Sequence, residues 1–219
     1  MLRSLIVASV GALLAAVPAA AVVVTTAPGA PDPGMASGES LVVTFDAPNA
    51  PGVTNVTSGN VITAAGSIGG VRAAPAGTPN GNVYQSIGTG GSSTFDFSQF
   101  TGVRGLTSAS FYWGSVDAYN FVDLLDAGGA VVRTISGTDL PQFNGNQTAS
   151  ITNRRVFFTF SPDEDVTALR LRSTGMAFEF DNIAVAGAVP EPETWAMLIM
   201  GLGMIGAVMR RPRRTAVSA

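Results

Sequence analysis

The side chains in this sequence that could carry out chemistry are almost entirely carboxylates. The chain has 219 residues with no Cys and no His, and all twelve of its basic residues are Arg, so Lys is absent as well. A Ser-His-Asp or Cys-His nucleophile, an ordinary zinc site, a Schiff base and a phosphate-loop lysine are therefore excluded. An enzyme built from this chain would have to work with Asp and Glu alone.

Three carboxylates near the middle of the chain, Asp117, Asp123 and Asp126, could supply the acid pair that hydrolyses a glycosidic bond. One acid of such a pair protonates the leaving oxygen, and the other acts as base or nucleophile. The range 41–187 contains eleven Asp and Glu residues, however, so some pair of acids is expected to lie close together in any fold. A carboxylate-based glycosidase therefore ranks last among our functional hypotheses.

Aromatic residues are densest between Phe111 and Tyr119, where four of nine residues are Phe, Tyr or Trp. Exposed aromatic rings can stack on sugar rings, so Tyr112, Trp113 and Tyr119 are candidate carbohydrate-binding residues. Phe111 and Trp113 share one face of a predicted strand, where packing in the core is the alternative. Tyr112 and Tyr119 are therefore the stronger ligand candidates.

Two acids at strand ends, Asp46 and Asp181, form a candidate calcium site. Asp46 follows the first predicted strand of the domain, and Asp181 with Asn182 lies next to the last one. In jelly rolls the first and last strands often pair, which would bring these acids together. Calcium takes about six to eight oxygen ligands, which carboxylates and carbonyls supply. The alternative is that both acids are turn residues bonded to nearby backbone amides.

The charge balance argues against a nucleic-acid partner. The sequence has a formal net charge of −3, and seven arginines stand against eleven acidic residues between residues 41 and 187. Binding to nucleic acid requires a basic patch that neutralises phosphates, and this range shows none.

The elements that must position these residues are β-strands. From residue 40 to 187 apolar residues recur with period two, as in Phe95 and Phe97, and turn residues interrupt them at short intervals. The clearest hairpin joins residues 120–125 and 130–135 through Asp-Ala-Gly-Gly. Roughly nine short strands without a helical period predict an all-β domain over 40–187, a single jelly-roll-like β-sandwich.

Both flanks of this domain look like export signals. Residues 1–21 fit a secretory signal peptide, with Arg3 before an apolar run and Ala19 and Ala21 at the cleavage pattern. A short N-terminal membrane anchor is the alternative. The Pro- and Gly-rich residues 22–39 are predicted to be a linker.

The C-terminal residues combine an apolar run with opposite charges at its two ends. Residues 195–209 lack charge and form a predicted transmembrane helix, with Trp at one end and the Arg cluster 210–214 at the other. Fifteen helical residues span only about 22 Å of a hydrocarbon core of about 30 Å, so a buried or interfacial helix stays open. The residues that define the segment are Pro190, Glu191, Pro192, Trp195, Ala196, Arg210, Arg211, Arg213 and Arg214.

In order, spacing and position this segment, residues 188–214, resembles the PEP-CTERM sorting signal in its PEPxxWA variant. The resemblance implies an exported protein of a Gram-negative, exopolysaccharide-producing bacterium. It also implies that an exosortase, a membrane enzyme, is the partner that cuts near Pro-Glu-Pro. The protein would then pass through the inner membrane on its way to the cell surface or the extracellular matrix, where exopolysaccharide is a further candidate partner.

A second resemblance concerns residues 112–120, YWGSVDAYN, which are similar to a segment of the YWGSxDxYN-type exosortase-dependent surface proteins. This resemblance implies an envelope module and no defined activity. Three hypotheses follow: a non-catalytic surface or matrix protein, a carbohydrate-binding module of the same architecture, and a carboxylate glycosidase.

Overall fold

The computed structural model describes residues 22–101, 105–187, 199–202 and 204. Within these residues twelve β-strands form two antiparallel sheets, which confirms the predicted all-β, jelly-roll-like sandwich. The strands are β1 (Val23–Pro28), β2 (Ser40–Val43), β3 (Thr54–Ser58), β4 (Val61–Ala65), β5 (Val83–Ile87), β6 (Ser92–Asp96), β7 (Leu106–Gly114), β8 (Asn120–Asp126), β9 (Val131–Ser136), β10 (Arg154–Thr159), β11 (Val166–Ser173) and β12 (Phe178–Gly187). One short helix, α1 (Ser98–Thr101), follows β6.

The two sheets differ in size and in what covers their outer faces. The larger sheet has the order β1-β10-β7-β12-β5-β4, and β2 also pairs with β12. The smaller sheet has the order β3-β6-β11-β8-β9. The strand β12 therefore lies inside the larger sheet, with β7 along one edge and both β5 and β2 along the other.

The core between the sheets is built from aromatic rings. Strand β7 turns Phe111 and Trp113 inward, and β12 does the same with Phe178 and Phe180, because alternate residues of a strand share a face. The rings of Trp113 and Phe178 stack with centroids 4.4 Å apart, and Phe178 meets Phe180 edge-on at 5.4 Å. Such pairs add about 0.5–1.5 kcal/mol beyond the area they bury.

The outer face of the larger sheet is also covered, and here the buried layer is polar. Outward-facing side chains of β7, β10 and β12 contact two chain segments, residues 29–39 and 72–76, that lie across this face. The buried side chains of this layer are Ser110, Tyr112, Arg155, Glu179 and Asp181. Two of the candidate site residues, Tyr112 and Asp181, therefore belong to this buried layer.

The predicted linker over 22–39 is wrong for its first part. Residues Val23–Pro28 form the edge strand β1, which pairs with β10 from Val23 opposite Thr159 to Pro28 opposite Arg154. An edge strand is held mainly by backbone hydrogen bonds along one side, so its side chains need not alternate between apolar and polar. Pro is also tolerated at a strand end, so the Pro-rich composition of this segment did not exclude a strand.

Two further boundaries differ from the sequence predictions. Strand β3 was not predicted, because its side chains are mostly exposed and carry no apolar alternation. The apolar run over 41–45 predicts a strand of that length, but β2 ends at Val43. Phe45 adopts a positive φ of 59° and turns its ring toward Phe95 and Phe180, at centroid distances of 6.1 and 5.7 Å.

Two predicted pairings are confirmed. Strands β8 and β9 form the expected hairpin, and the Asp126 carboxylate accepts the backbone N–H groups of Gly128 and Ala130 in its turn. The first and last strands of the predicted domain also pair, with Val43 of β2 opposite Ile183 of β12.

The two predicted membrane-related segments fall largely outside the described residues. The predicted signal peptide, 1–21, is entirely outside them. Of the predicted helix 195–209, residues 199–202 and 204 are described, and they are helical. Among the described residues, no helix is long and apolar enough to span a membrane.

Candidate functional site

The aromatic candidates for sugar binding do not form an exposed platform. Trp113 is fully buried in the core, and Tyr112 is only 1% exposed. The Tyr112 hydroxyl lies 2.8 Å from the Gly29 carbonyl oxygen and 2.6 Å from that of Ala76, beneath both covering segments. The structure therefore corrects the prediction for these two rings, because a sugar cannot reach either of them.

Tyr119 is half-buried and acts as a cross-link between loops. Its hydroxyl lies 2.8 Å from Asp117 Oδ2 and 2.6 Å from the Met176 carbonyl oxygen. Burial raises the pKa of Tyr119, and the neighbouring Asp117 raises it further. The ring packs so closely on Gly175 that an added Cβ there would lie 2.6 Å from Tyr119 Cγ. We infer that this tyrosine holds the turn before β12 in place.

The remainder of residues 112–120 is likewise occupied by structural contacts. The Ser115 backbone N–H donates to Asn153 Oδ1 at 3.1 Å, and the Asn120 side chain accepts from the Ser173 hydroxyl at 2.8 Å. Gly114 leaves no room for a side chain, because a Cβ would lie 2.9 Å from Pro75 Cα. The residue types in this segment are explained by the connection from β7 to β8 without a ligand.

The structure brings the two calcium candidates close enough to interact electrostatically. Asp181 is 3% exposed, and its Oδ1 accepts the Asn182 backbone N–H at 2.7 Å. Burial raises the pKa of Asp181 to about 7, and the negative charges of Asp46 and Asp32 act in the same direction. Asp46 itself accepts the backbone N–H of Val83, 37 residues further along the chain, at 2.7 Å. Only the contact of Asp181 is therefore to a nearby amide, as the alternative supposed.

Asp32, which the sequence analysis did not single out, completes this cluster. Its Oδ2 accepts from Arg155 Nη1 at 2.8 Å and from the Asn182 side chain at 3.0 Å, beside a cavity of about 190 Å³. No group of three or more His, Cys, Asp or Glu side chains in the described ranges is arranged to hold a metal ion. Calcium at Asp46 and Asp181 stays a prediction.

Glu179 is a second buried acid that sequence reasoning missed. It is 3% exposed, and its Oε1 accepts the Ala73 backbone N–H at 2.9 Å. Burial raises the pKa of Glu179 to about 7, with a contribution from the charge of Asp117. It lines a cavity of about 170 Å³ together with Arg72 and Gln147. The sequence analysis did not single it out, because the segment that covers it could not be foreseen from the sequence.

The three carboxylates considered for glycoside hydrolysis each have their own local partners. Asp117 accepts from Tyr119, and Asp126 caps the β8–β9 turn. Burial opposes ionisation of Asp123, but hydrogen bonds from Arg172, Thr134 and Arg170 hold its pKa below the usual range. A carboxylate held ionised in this way does not serve as the general acid that glycoside hydrolysis needs.

The exposed face of the smaller sheet carries two arginines that share the buried Asp123. Arg170 donates from Nε and Nη2 to Asp123 Oδ2 at 2.9 and 2.7 Å. Arg172 donates to Oδ2 at 2.8 Å and to Oδ1 at 3.2 Å, and its guanidinium lies 4.4 Å above the Phe121 ring. The arginine side chains are 36% and 34% exposed, whereas Asp123 is 1% exposed. The alternation of Leu169 and Leu171 with the two arginines predicts that the arginines face solvent, but it does not predict their shared partner.

The predicted sorting residues all lie outside the described residues. They are Pro190, Glu191, Pro192, Trp195, Ala196, Arg210, Arg211, Arg213 and Arg214.

Among solved structures, the chain is similar to a family 11 carbohydrate-binding module of the cellulosomal cellulase Lic26A-Cel5E of Clostridium thermocellum. The identity is 16%, the match covers 72% of this chain and 99% of that one, and the TM-score is 0.25. A structure described as the family 11 module of the same organism in complex with a β-1,3-1,4-mixed-linked tetrasaccharide matches with 16% identity over 72% and 100% of the two chains, at a TM-score of 0.25. These values support no conclusion about ligand or activity. No curated protein matches the chain.

A family model gives the assignment for the tail. Residues 188–214 match the PEP-CTERM protein-sorting motif, over the same residues that the sequence analysis singled out. The PEPxxWA variant and the similarity of residues 112–120 to a surface-protein family stay predictions. The chain therefore carries a PEP-CTERM protein-sorting motif immediately after the last strand of a two-sheet β-domain.

Proposed function

We propose that this chain is an exported, non-catalytic protein of the cell surface or extracellular matrix, and that an exosortase recognises and processes its tail. The observation that carries this proposal is the position of the sorting motif. The motif begins at residue 188, directly after β12 ends at Gly187. Cleavage near Pro-Glu-Pro would therefore separate the tail while leaving every strand of the domain in place.

The tail offers two features that suit recognition by a protease-type enzyme. Two prolines restrict φ on either side of Glu191, so a backbone that binds in an extended form there loses little conformational entropy. The Glu191 carboxylate then provides one specific charge for the enzyme to contact. The catalytic groups belong to the exosortase, and this chain is its substrate.

A non-catalytic role for the domain is supported by its side-chain inventory. The sequence lacks the Cys, His and Lys residues on which most nucleophilic and general-base chemistry depends. The carboxylates Asp117, Asp123 and Asp126 are each engaged by neighbouring groups of the fold.

The test compares Glu191→Ala with Glu193→Ala in the native host. A plain anchor needs only apolar length and flanking charge, so either substitution would leave it unaffected. We expect Glu191→Ala to insert normally but to keep its tail, so that the heavier precursor accumulates in the inner membrane. Glu193→Ala removes the same charge just outside Pro-Glu-Pro and should be processed as the wild type is.

Mass spectrometry of the recovered proteins decides this test, because it fixes both termini. If wild type and Glu191→Ala give the same mature mass and fractionation, the exosortase proposal is wrong, and the tail acts as a simple anchor.

A second candidate function is binding of exopolysaccharide by the β-domain. Tyr112 and Trp113 cannot contribute to it, since both are buried. The observation that favours this candidate is the open face of the smaller sheet, where a shallow groove of about 320 Å³ lies beside Arg170 and Arg172.

A further inference from the structure

We propose that the exposed face of the five-stranded sheet binds an acidic polysaccharide, with Arg170 and Arg172 contacting its carboxylate groups. This inference deepens the second candidate function, and it does not depend on how the tail is processed.

The two guanidinium groups retain donors for a ligand. Asp123 engages only the Nε and Nη2 atoms of each arginine. Within the described part of the chain neither Nη1 atom makes a hydrogen bond. Both side chains are about one-third exposed. Each arginine can therefore present its Nη1 edge to an incoming carboxylate, the group that its planar fork of donors fits best.

The arginines are held in position before any ligand arrives. Asp123 is almost fully buried between them, and Thr134 donates to the same carboxylate at 2.7 Å. The Phe121 ring supports the Arg172 guanidinium from below. Because these contacts already restrict the long arginine side chains, binding would lose less side-chain entropy than it does with free surface arginines.

The surroundings suit an extended, hydroxylated chain. Arg170 and Arg172 are two residues apart on β11, so they lie on the same face about 6.6 Å apart along the strand. Across the sheet, Thr94 lies opposite Arg170 on β6 and Ser92 opposite Arg172, which gives a row of hydroxyl groups beside the charges. Small residues leave the groove open at the end of β11; they are Gly90, Gly91, Ser92, Ser173 and Thr174.

The charge of the whole domain selects among anionic polymers. Between residues 41 and 187 acidic residues outnumber arginines by eleven to seven, so a polymer with a phosphate at every unit would be repelled. A polysaccharide with carboxylates separated by neutral, hydroxylated units meets the two arginines without that penalty. The ligand class that fits is thus a uronate-containing polysaccharide.

The experiment measures binding of half-methyl-esterified polygalacturonate, in which uncharged units separate the free carboxylates, to the full chain in mild detergent, by calorimetry at low ionic strength. The ligand control is the fully methyl-esterified polymer, which keeps the sugar backbone but loses all carboxylates. The test variant combines Arg170→Gln, Arg172→Gln and Asp123→Asn, so that no buried charge is left unpaired. Arg133→Gln is the matched control, because Arg133 lies on the same sheet and donates to the Val22 carbonyl oxygen instead.

We expect the triple variant to bind more weakly by about tenfold or more, because it loses one or more charge-assisted hydrogen bonds to the ligand. Arg133→Gln should bind as the wild type does, and the fully esterified polymer should bind to the wild type more weakly by about tenfold or more. Arg170→Lys with Arg172→Lys keeps both charges near Asp123 but removes the forks, and we expect it to lose most of the affinity as well.

Two results would overturn this inference: equal binding of both polymers by the wild type, or equal binding of the half-esterified polymer by the wild type and the triple variant. Either result would leave the processing of the tail untouched, since that is read from the mass of the mature protein.

Discussion

Glu179 and Asp181 are the residues whose behaviour differs most from what their side chains suggest. They lie two residues apart on β12, so both point to the outer face of the larger sheet, where the covering segments bury them. Burial raises the pKa of each to about 7. The fold therefore holds these two acids largely protonated at mildly acidic pH.

This arrangement predicts a definite sign for the dependence of stability on pH. The unfolded chain loses these protons near pH 4, whereas the folded protein keeps them up to about pH 7. Their contribution to stability is therefore full below about pH 4 and is lost as the pH rises through 7. We expect the free energy of unfolding to fall by roughly 2 kcal/mol per group between pH 5 and pH 8.

Denaturant unfolding of the wild type and of Glu179→Gln with Asp181→Asn at both pH values checks this expectation. The double variant should be less pH-dependent than the wild type, and each single variant should fall between them. A double variant with the wild-type pH dependence would show that these acids titrate normally in the folded protein.

The proximity of Asp46 and Asp181 leads to a prediction about calcium. If Asp46 and Asp181 share a calcium ion, calcium at a hundred times its Kd should increase the free energy of unfolding by about 2.7 kcal/mol through mass action. The unfolding midpoint should rise accordingly. Asp181→Asn should abolish the shift. Asp126→Asn, which alters only a turn cap, should keep it. Thermal unfolding with and without calcium measures this, and a wild type that does not respond would leave Asp46 as a ligand of the Val83 amide alone.

Among the elements, the segment from β1 to β2 has a larger role than its composition suggests. Strand β1 extends the larger sheet, and the chain that follows it places Asp32 against the buried guanidinium of Arg155 at 2.8 Å. Arg155 is 1% exposed, and burial lowers its pKa while Asp32 opposes that change. The segment is held to the sheet by an ion pair as well as by strand pairing.

We expect Asp32→Ala to destabilise the domain by about 3 kcal/mol, because it leaves a buried cation without its main partner. Adding Arg155→Met should recover part of this loss, since the unpaired charge is then absent. Chemical unfolding of the wild type, the single variant and the double variant measures both effects. A single variant as stable as the wild type would mean that Ser110 and Glu39 satisfy Arg155 by themselves.

The strands that the sequence revealed are those with one apolar face. β7, β8 and β11 alternate because one face of each packs in the core, and their periodicity could be read directly. β1 and β3 could not be predicted in the same way, because they lie at sheet edges and are stabilised mainly by backbone pairing.

The candidate sites were harder to predict than the strands, since they depend on what covers each face. Residue types alone assigned Tyr112 to a ligand and did not single out Glu179, yet both are buried beneath segments far away in sequence. Asp123 was considered as a catalytic acid, but its partners Arg170 and Arg172 are more than forty residues away. The sorting motif was predictable because it is recognised as a linear sequence.

For the molecule as a whole, the charges at its C-terminal end should determine orientation. Positive residues beside an apolar segment favour the cytoplasmic side, so we expect the β-domain outside the inner membrane and residues 210–214 initially inside. Replacing Arg210, Arg211, Arg213 and Arg214 by Glu should impair insertion or invert the tail. Reporter fusions after residue 214 measure this, and an unchanged orientation would show that the arginines do not set the topology.

The position of β12 has a mechanical consequence. Any tension applied through the tail enters the domain at Gly187, the end of a ten-residue strand that is paired on both edges. A pull along the strand axis loads these backbone hydrogen bonds together, in shear, whereas a pull on an edge hairpin would open them one at a time. In a domain tethered through this strand, drag from flowing water would thus load a strand in shear rather than peel an edge.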